Sequence, residues 1–205
     1  MDDKPRFVVL ISGNGTNLQA ILDACRTDEL PAQVVGVVSN KADAYGLVRV
    51  EKAGIPTVVL EKAKVQDRRE YDAVLAEKVA AFAPDWIVLA GWMRILTSVF
   101  LDRFPGQVIN LHPALPGTFP GTHAIQRAYE AWQKGETDRS GVMVHLVPDE
   151  NVDVGPILAV DEILFNVGET LEAFEERVHA VEHRLLIDTL NKLITYPDIV
   201  ADMKW

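Results

Sequence analysis

The sequence predicts an α/β fold: a Rossmann-like open, mostly parallel sheet with helices on both faces, followed by a C-terminal antiparallel strand pair and a long closing helix. Three observations predict it. Five short β-branched runs up to residue 111 are mostly uninterrupted rather than alternating, as strands buried on both faces are. Helical periods lie between them, and a strand–helix–strand order implies parallel pairing. After residue 138, two further runs follow each other with only a loop between, which implies an antiparallel pair.

In chain order the parallel strands are RFVVLI (6–11), AQVVGVVS (32–39), PTVVL (56–60), DWIVLA (85–90) and QVINL (107–111). Leu18, Ile21 and Leu22 share a helix face after the first strand, and Tyr71, Val74, Leu75, Val79 and Phe82 share another before the fourth. GVMVHLVP (141–148) and GPILAVDEIL (155–164) make the antiparallel pair. Leu171, Phe174, Val178, Val181, Leu185 and Leu186 hold a helical period in the closing helix.

A chain of 205 residues that is 48% hydrophobic can bury one sizeable core, and no linker, repeat or low-complexity tract marks a second, so residues 1–205 read as a single domain. Cys25 is the only cysteine, which excludes an intramolecular disulfide. The start, MDDKPRF, lacks the basic-then-apolar pattern of a secretory signal, so the cytoplasm is the expected setting. The longest apolar run, WIVLAGWM (86–93), is far short of the roughly twenty residues that span a bilayer. Thirty acidic against twenty basic residues give a net charge of −10, a field that repels nucleic acids and anionic membranes; neither is an expected partner. Any phosphate must therefore be held by local groups. Trp92, Trp132 and Trp205 stay open between core, interface and surface.

Ligands of open parallel sheets sit beyond the carboxyl ends of the strands, which selects SGNGTN after the first strand, GWMRIL after the fourth and NLHPALPG after the fifth. In SGNGTNLQ, Gly13 and Gly15 let backbone N–H groups turn toward a ligand, and Thr16 with Gln19 forms a capping-box pattern. The segment reads as a phosphate site or as an ordinary turn with a good cap. A dinucleotide site fits less well, because Leu18 replaces the third glycine of G-x-G-x-x-G and the second strand ends in Ser39 rather than an acid.

Asn110 and His112 are two residues apart, so in extended backbone they point to one side, and Pro113 ends the strand there. An amide donor beside an imidazole suits a carbonyl under attack: both stabilise the oxyanion, and one can move a proton. By themselves the two also read as ordinary polar residues at a strand end. Asp153, in the loop PDENVDVGPIL (148–158), adds a carboxylate that can reach His112 and favour its charged form. Asp149 and Glu150 read as solvated.

Taken together, VVLISGNGTNLQAI (8–21), VLAGWMRIL (88–96), NLHPALPGTFPGTHA (110–124) and VDVGPIL (152–158) resemble the phosphoribosylglycinamide formyltransferases, folate-dependent enzymes of purine biosynthesis. The Asn-x-His-Pro element with a later Asp is shared by folate formyltransferases at large, whereas SGNGTNLQA is particular to the glycinamide ribonucleotide enzymes. The resemblance implies transfer of formyl from 10-formyltetrahydrofolate, as cosubstrate and with no metal, to glycinamide ribonucleotide, by a monomer or homodimer acting on small molecules.

It also implies roles. Asn110, His112 and Asp153 match the catalytic trio, with His112 as proton donor. Gly15, Thr16 and Asn17 match the ribonucleotide phosphate loop, and His179, Ala180, Val181 and Glu182 the segment contacting the rest of that substrate, with Glu182 meeting its amine. Arg68, Met93, Arg94, Ile95 and Leu96, with Asn110 and the loop Pro148, Asp149, Glu150, Asn151, Val152 and Asp153, match folate-contacting positions; Arg69 is an alternative to Arg68. The phosphate-binding half then runs to about residue 105 and the folate and catalytic half follows. The chain departs from the common His-Pro-Ser-Leu-Leu-Pro wording with HPALPG, and its loop before Asp153 is one residue longer than in some members.

Other readings predict different features. A methionyl-tRNA formyltransferase is expected to carry a further C-terminal RNA-binding domain, and a formyltetrahydrofolate deformylase a further N-terminal one. HAVEH (179–183) fits the H-x-x-E-H zinc protease pattern, a short motif that arises readily by chance. A phosphate-binding sensor explains residues 12–20 but leaves Asn110, His112 and Asp153 idle.

Overall fold

In β1 (Arg6–Ile11) every residue from Phe7 to Ile11 is buried, so the first strand has a helix layer on each side. This computed structural model describes residues 4–201; Trp205 and the first three residues of MDDKPRF lie outside that range. The other strands are β2 (Gln33–Ser39), β3 (Thr57–Val59), β4 (Trp86–Leu89), β5 (Val108–His112), β6 (Arg139–Leu146) and β7 (Ile157–Leu164). They form one sheet in the order β3-β2-β1-β4-β5-β6-β7. β1 to β5 are mutually parallel, whereas β6 runs antiparallel to β5 and β7 antiparallel to β6, as the sequence pattern requires.

The helices are α1 (Thr16–Thr27), α2 (Gly46–Ala53), α3 (Arg68–Ala80), α4 (Ser98–Leu101), α5 (Ala124–Gln133), α6 (Leu171–Thr195) and α7 (Asp198–Ala201). Alternation along the strands divides the apolar residues between two layers. Phe7, Val9, Ile11 and Ile109 meet Leu18 and Ile21 of α1 and Phe174, Val178 and Leu186 of α6. Val8, Leu10, Ile87 and Leu89 meet Tyr71, Leu75 and Val79 of α3 and Phe100 of α4. Full burial of each such side chain is worth about 1.5–3 kcal/mol, so β1 is anchored from both faces. Trp92 belongs to the second layer, and Trp132 is half-buried with its ring stacked on Phe165 at 4.9 Å.

Two local expectations are corrected. Thr16 does not cap α1: Gly15, in a left-handed conformation (φ 75°), is the N-cap, which places Thr16 inside the first turn. Gln19 spends its side chain on Asp23 and Arg49 instead of closing a capping box. In α3 the buried stripe is Tyr71, Asp72, Leu75, Ala76 and Val79, whereas Val74 lies on the flank and is exposed and Phe82 lies past the helix end. Two further helices that the sequence reading does not single out, α2 and α5, bury few side chains: Gly46 and Val50 in α2 and three alanines in α5.

Candidate active site

The sheet order reverses between β1 and β4, where the crevice of an open α/β sheet forms. Ser12 joins the two loops there: its N–H donates to the Gly91 carbonyl (3.1 Å), and its buried Oγ accepts from the Met93 N–H (2.8 Å). The residues assigned to the phosphate and to the folate are thus tied through one side chain.

Beyond β4 and β5 opens a cavity of about 610 Å³. Asn110, His112 and Asp153 all line it, as do Arg68, Met93, Arg94, Ile95 and Leu96 and the loop residues Asp149, Glu150, Asn151 and Val152. Pro148 alone among the assigned folate positions does not. Met93 is 59% exposed and Ile95 48%, which presents an apolar rim, while Leu96 is buried beneath. Of the two neighbouring arginines Arg68 lines the cavity, whereas Arg69 turns away to Ser98 Oγ (3.3 Å). Glu150 is not merely solvated: it accepts from Ser98 N–H at 3.0 Å and lies 3.6 Å from the Arg68 guanidinium. Buried Asp72 accepts from Thr97 N–H (2.6 Å) and fixes the end of the 93–97 segment; burial pushes its carboxyl up.

Gly15, Thr16, Asn17, His179, Ala180, Val181 and Glu182 do not line this cavity; the first three lie at the start of α1 and the other four in the interior of α6, and the two helices pack together. His179 Nδ1 meets Glu182 Oε2 at 2.6 Å, and this hydrogen bond raises the imidazole above its ordinary range. HAVEH forms this His–Glu pair, and among the described residues no group of three or more His, Cys, Asp or Glu is placed to hold a metal.

The trio is held by a hydrogen-bond network. The Asn110 amide donates to Asp153 Oδ1 (3.0 Å) and meets His145 Nε2 (3.1 Å). His145 Nδ1 faces the Leu146 carbonyl (2.8 Å), a pure acceptor, so that nitrogen carries the ring proton and Nε2 receives from Asn110. His112 is 4% exposed, with Nδ1 3.3 Å from Asp153 Oδ2 and Nε2 3.1 Å from the Phe119 carbonyl.

Both His112 neighbours are acceptors, so full satisfaction needs a proton on each nitrogen. Burial opposes this, outweighing the pull of Asp153 and the Phe119 carbonyl, and leaves the His112 pKa below its ordinary value. The expectation that the carboxylate raises it holds for that contact and fails for the sum. Burial alone would raise the Asp153 carboxyl; the groups around it, among them the Gly121 N–H (2.8 Å), outweigh it and hold Asp153 below the usual carboxylate range.

The segment HPALPGTFPGTH shapes this network. Thr118 N–H returns to the Leu115 carbonyl (3.0 Å) around Pro116 and Gly117, whose φ of 76° fits a type II turn. The departure at HPALPG therefore supplies a proline and a glycine where such a turn requires them. Phe119 has φ 45°, a conformation that costs a non-glycine residue about 1–2 kcal/mol. It persists because its carbonyl takes N–H bonds from His112 and from Arg127 Nη2 (2.8 Å), with Pro120 O also on Arg127 (2.6 Å).

His145, Arg127, Ser12 and Gly121 escaped the sequence reading. His145 left one signal, as the lone polar residue in the buried run Val142–Leu146.

An amide, an imidazole and a carboxylate converge at the carboxyl end of a parallel strand, beside the cavity, an arrangement suited to an enzyme acting on a carbonyl group. Residues 5–190 match the formyl transferase family, and the chain belongs to it. The chain is 45% identical to "Phosphoribosylglycinamide formyltransferase" of Schizosaccharomyces pombe over 201 residues, covering 92% of this chain and 97% of that one. It is 39% identical to "Trifunctional purine biosynthetic protein adenosine-3" of Bos taurus over 187 residues, 91% of this chain and 18% of that longer protein. The crystal structure of phosphoribosylglycinamide formyltransferase from Bacillus halodurans superposes with a TM-score of 0.88 at 32% identity, over 97% of this chain and all of that one. Among the described residues no helix is long and apolar enough to cross a membrane.

Proposed function

We propose that the chain transfers the formyl group of 10-formyltetrahydrofolate to the primary amine of glycinamide ribonucleotide, a step of purine biosynthesis. The observation that carries this reading is the buried Asn110–His112–Asp153 network opening onto a cavity of about 610 Å³, a size within the range of small-molecule sites. The names of the relatives support the choice of acceptor. The residues lining the cavity suit a folate: Met93, Ile95 and Val152 offer apolar surface to a pterin and benzoyl group, and Arg68 at the mouth offers a charge to a glutamate carboxylate. Gly15, Thr16 and Asn17 supply N–H groups at the start of α1 for the ribonucleotide phosphate, and Glu182 receives the amine.

The neutral amine attacks the formyl carbon, and the carbonyl electron pair moves onto oxygen. Asn110 exchanges an N–H bond for one to that oxygen; the bond to the neutral nitrogen of His145 is the weaker to give up. His112 gives up the Phe119 carbonyl and donates from Nε2, and the growing negative charge raises its proton affinity where burial has lowered it. The ring becomes an imidazolium by taking the proton that the attacking nitrogen sheds, and Asp153 steadies it through Nδ1. Collapse breaks the bond from the formyl carbon to N10, which takes a proton as the attacking nitrogen loses one; His112, or a water held by Asp153, carries it.

Initial rates with both substrates, beside a control lacking the amine, test the reading. Acceptor-dependent transfer, abolished by excess dephosphorylated competitor only at high concentration, is expected. Formate release that the acceptor does not accelerate contradicts it and indicates a hydrolase.

A further inference from the structure

The phosphate turn is braced from behind by α2, an element with no assigned part in the site. Gly46 N–H donates to the Gly13 carbonyl (3.0 Å), and a Cβ on Gly46 would fall 2.5 Å from Ile11 Cδ1, so the helix start is docked as closely as a glycine allows. One turn on, half-buried Arg49 grips the same loop. Its Nε donates to the Asn14 carbonyl (2.9 Å), Nη2 to Asn14 Oδ1 (2.8 Å) and Nη1 to Gln19 Oε1 (3.4 Å), and the guanidinium lies over the Tyr45 ring at 5.1 Å. A Cβ on Gly15 would lie 3.6 Å from Arg49 Cδ and 2.8 Å from Gly46 Cα, so the turn has no slack against this support.

We propose that Arg49 is a positioning residue for the ribonucleotide phosphate: it fixes the 13–17 turn through Asn14 and sets beside it a positive charge that, among the described residues, has no acidic hydrogen-bond partner. The inference rests on the proposed acceptor. Two physical points carry it. First, the forked guanidinium takes the backbone and side-chain oxygens of one residue together, which an ammonium cannot do in the same geometry, so Asn14 is held in a single orientation at the entrance to α1. Second, the groups that Arg49 contacts, Asn14, Gln19 and Tyr45, are neutral, so its charge stays available as a field. A phosphate approaching a chain of net charge −10 meets general repulsion, and a cation within the supporting layer offsets it locally. The Arg49 guanidinium nitrogens are spent on Asn14 and Gln19, so the side chain acts through the turn and through its charge.

The test compares wild type, R49Q and R49K with glycinamide ribonucleotide and with its dephosphorylated ribonucleoside. R49Q is expected to raise KM for the phosphorylated acceptor about tenfold, from the loosened turn and the lost charge together, with kcat and the folate KM within about twofold. R49K, which keeps the charge and loses the fork, is expected to recover part of that KM. With the ribonucleoside, R49Q and wild type are expected to have the same kcat/KM. An equal loss on both acceptors, or an equal shift in folate KM, reduces Arg49 to a general structural role and overturns the proposal, as does an unchanged KM. Should wild type use neither acceptor, the acceptor reading fails. Titration of inorganic phosphate against wild type and R49K then judges Arg49 separately: weaker binding by R49K supports its role, and equal binding refutes it.

Discussion

Replacing Asp153 by asparagine probes the network at its hub. Asp153 has a left-handed backbone (φ 55°) that asparagine adopts readily, so D153N changes chemistry with little conformational penalty. The carboxylate accepts Gly121 N–H on one oxygen and the Asn110 amide on the other, and faces His112 Nδ1 at 3.3 Å, with its side chain 8% exposed. An amide offers one acceptor and one NH2, so one of the two donors must confront another donor. An unsatisfied buried donor costs about 1–3 kcal/mol, and relief of the buried charge offsets part of it, which leaves a net destabilisation of about 0.5–2 kcal/mol. The catalytic cost is larger. His112 loses its carboxylate and its remaining surroundings favour the neutral ring, so kcat is expected to fall about 10³- to 10⁴-fold, as when other catalytic imidazoles lose their carboxylate. Steady-state rates beside thermal melts separate the two effects. The folded carboxyl lies below its ordinary value, so the stability it confers is complete above the usual carboxylate range and is lost as pH falls through the depressed pKa; the melting gap should close there. A folded D153N with kcat within about tenfold of wild type refutes the hub role.

His112→Ala removes a proposed oxyanion donor and its charge together, and single-turnover rates should drop by about two to three orders of magnitude or more. His179→Gln breaks the pair with Glu182; because the folded imidazole is raised, its stabilisation is complete below its ordinary pKa and is lost as pH rises through the raised value. Urea melts should therefore show a wild-type advantage at mildly acidic pH that disappears in alkali, and a gap that widens with pH would show the opposite coupling. Gly15→Ala forces a Cβ onto a φ of 75° and within 2.8 Å of Gly46 Cα, so a loss of about 1–3 kcal/mol and a higher KM for the ribonucleotide should appear together.

The parts of this site that depend on local pattern are legible in the sequence. β1 reads as an uninterrupted buried run, and the spacing of Asn110 and His112 puts both on one side of β5. Contacts that depend on register are not. His145 reaches Asn110 only because β6 pairs antiparallel with Asn110 opposite His145, a register set by the whole connection between the strands. Arg127 acts through the carbonyls of Phe119 and Pro120 in the turn just before its helix and Arg49 through that of Asn14 in a distant loop, and backbone acceptors carry no residue signature. The capping box misled because the left-handed Gly15 starts α1 one residue earlier than the side-chain pattern implies. The direction of the His112 shift follows from burial, and burial depth at a strand end depends on the loop that covers it, here the one carrying Phe119.

The most direct measurement follows a carbon-13 label in the formyl group of 10-formyltetrahydrofolate by NMR, with and without glycinamide ribonucleotide. The label is expected to move to the amide of formylglycinamide ribonucleotide in step with folate turnover, and to stay on the folate when the amine is withheld. Label appearing as free formate at a rate independent of the amine contradicts transfer to the ribonucleotide.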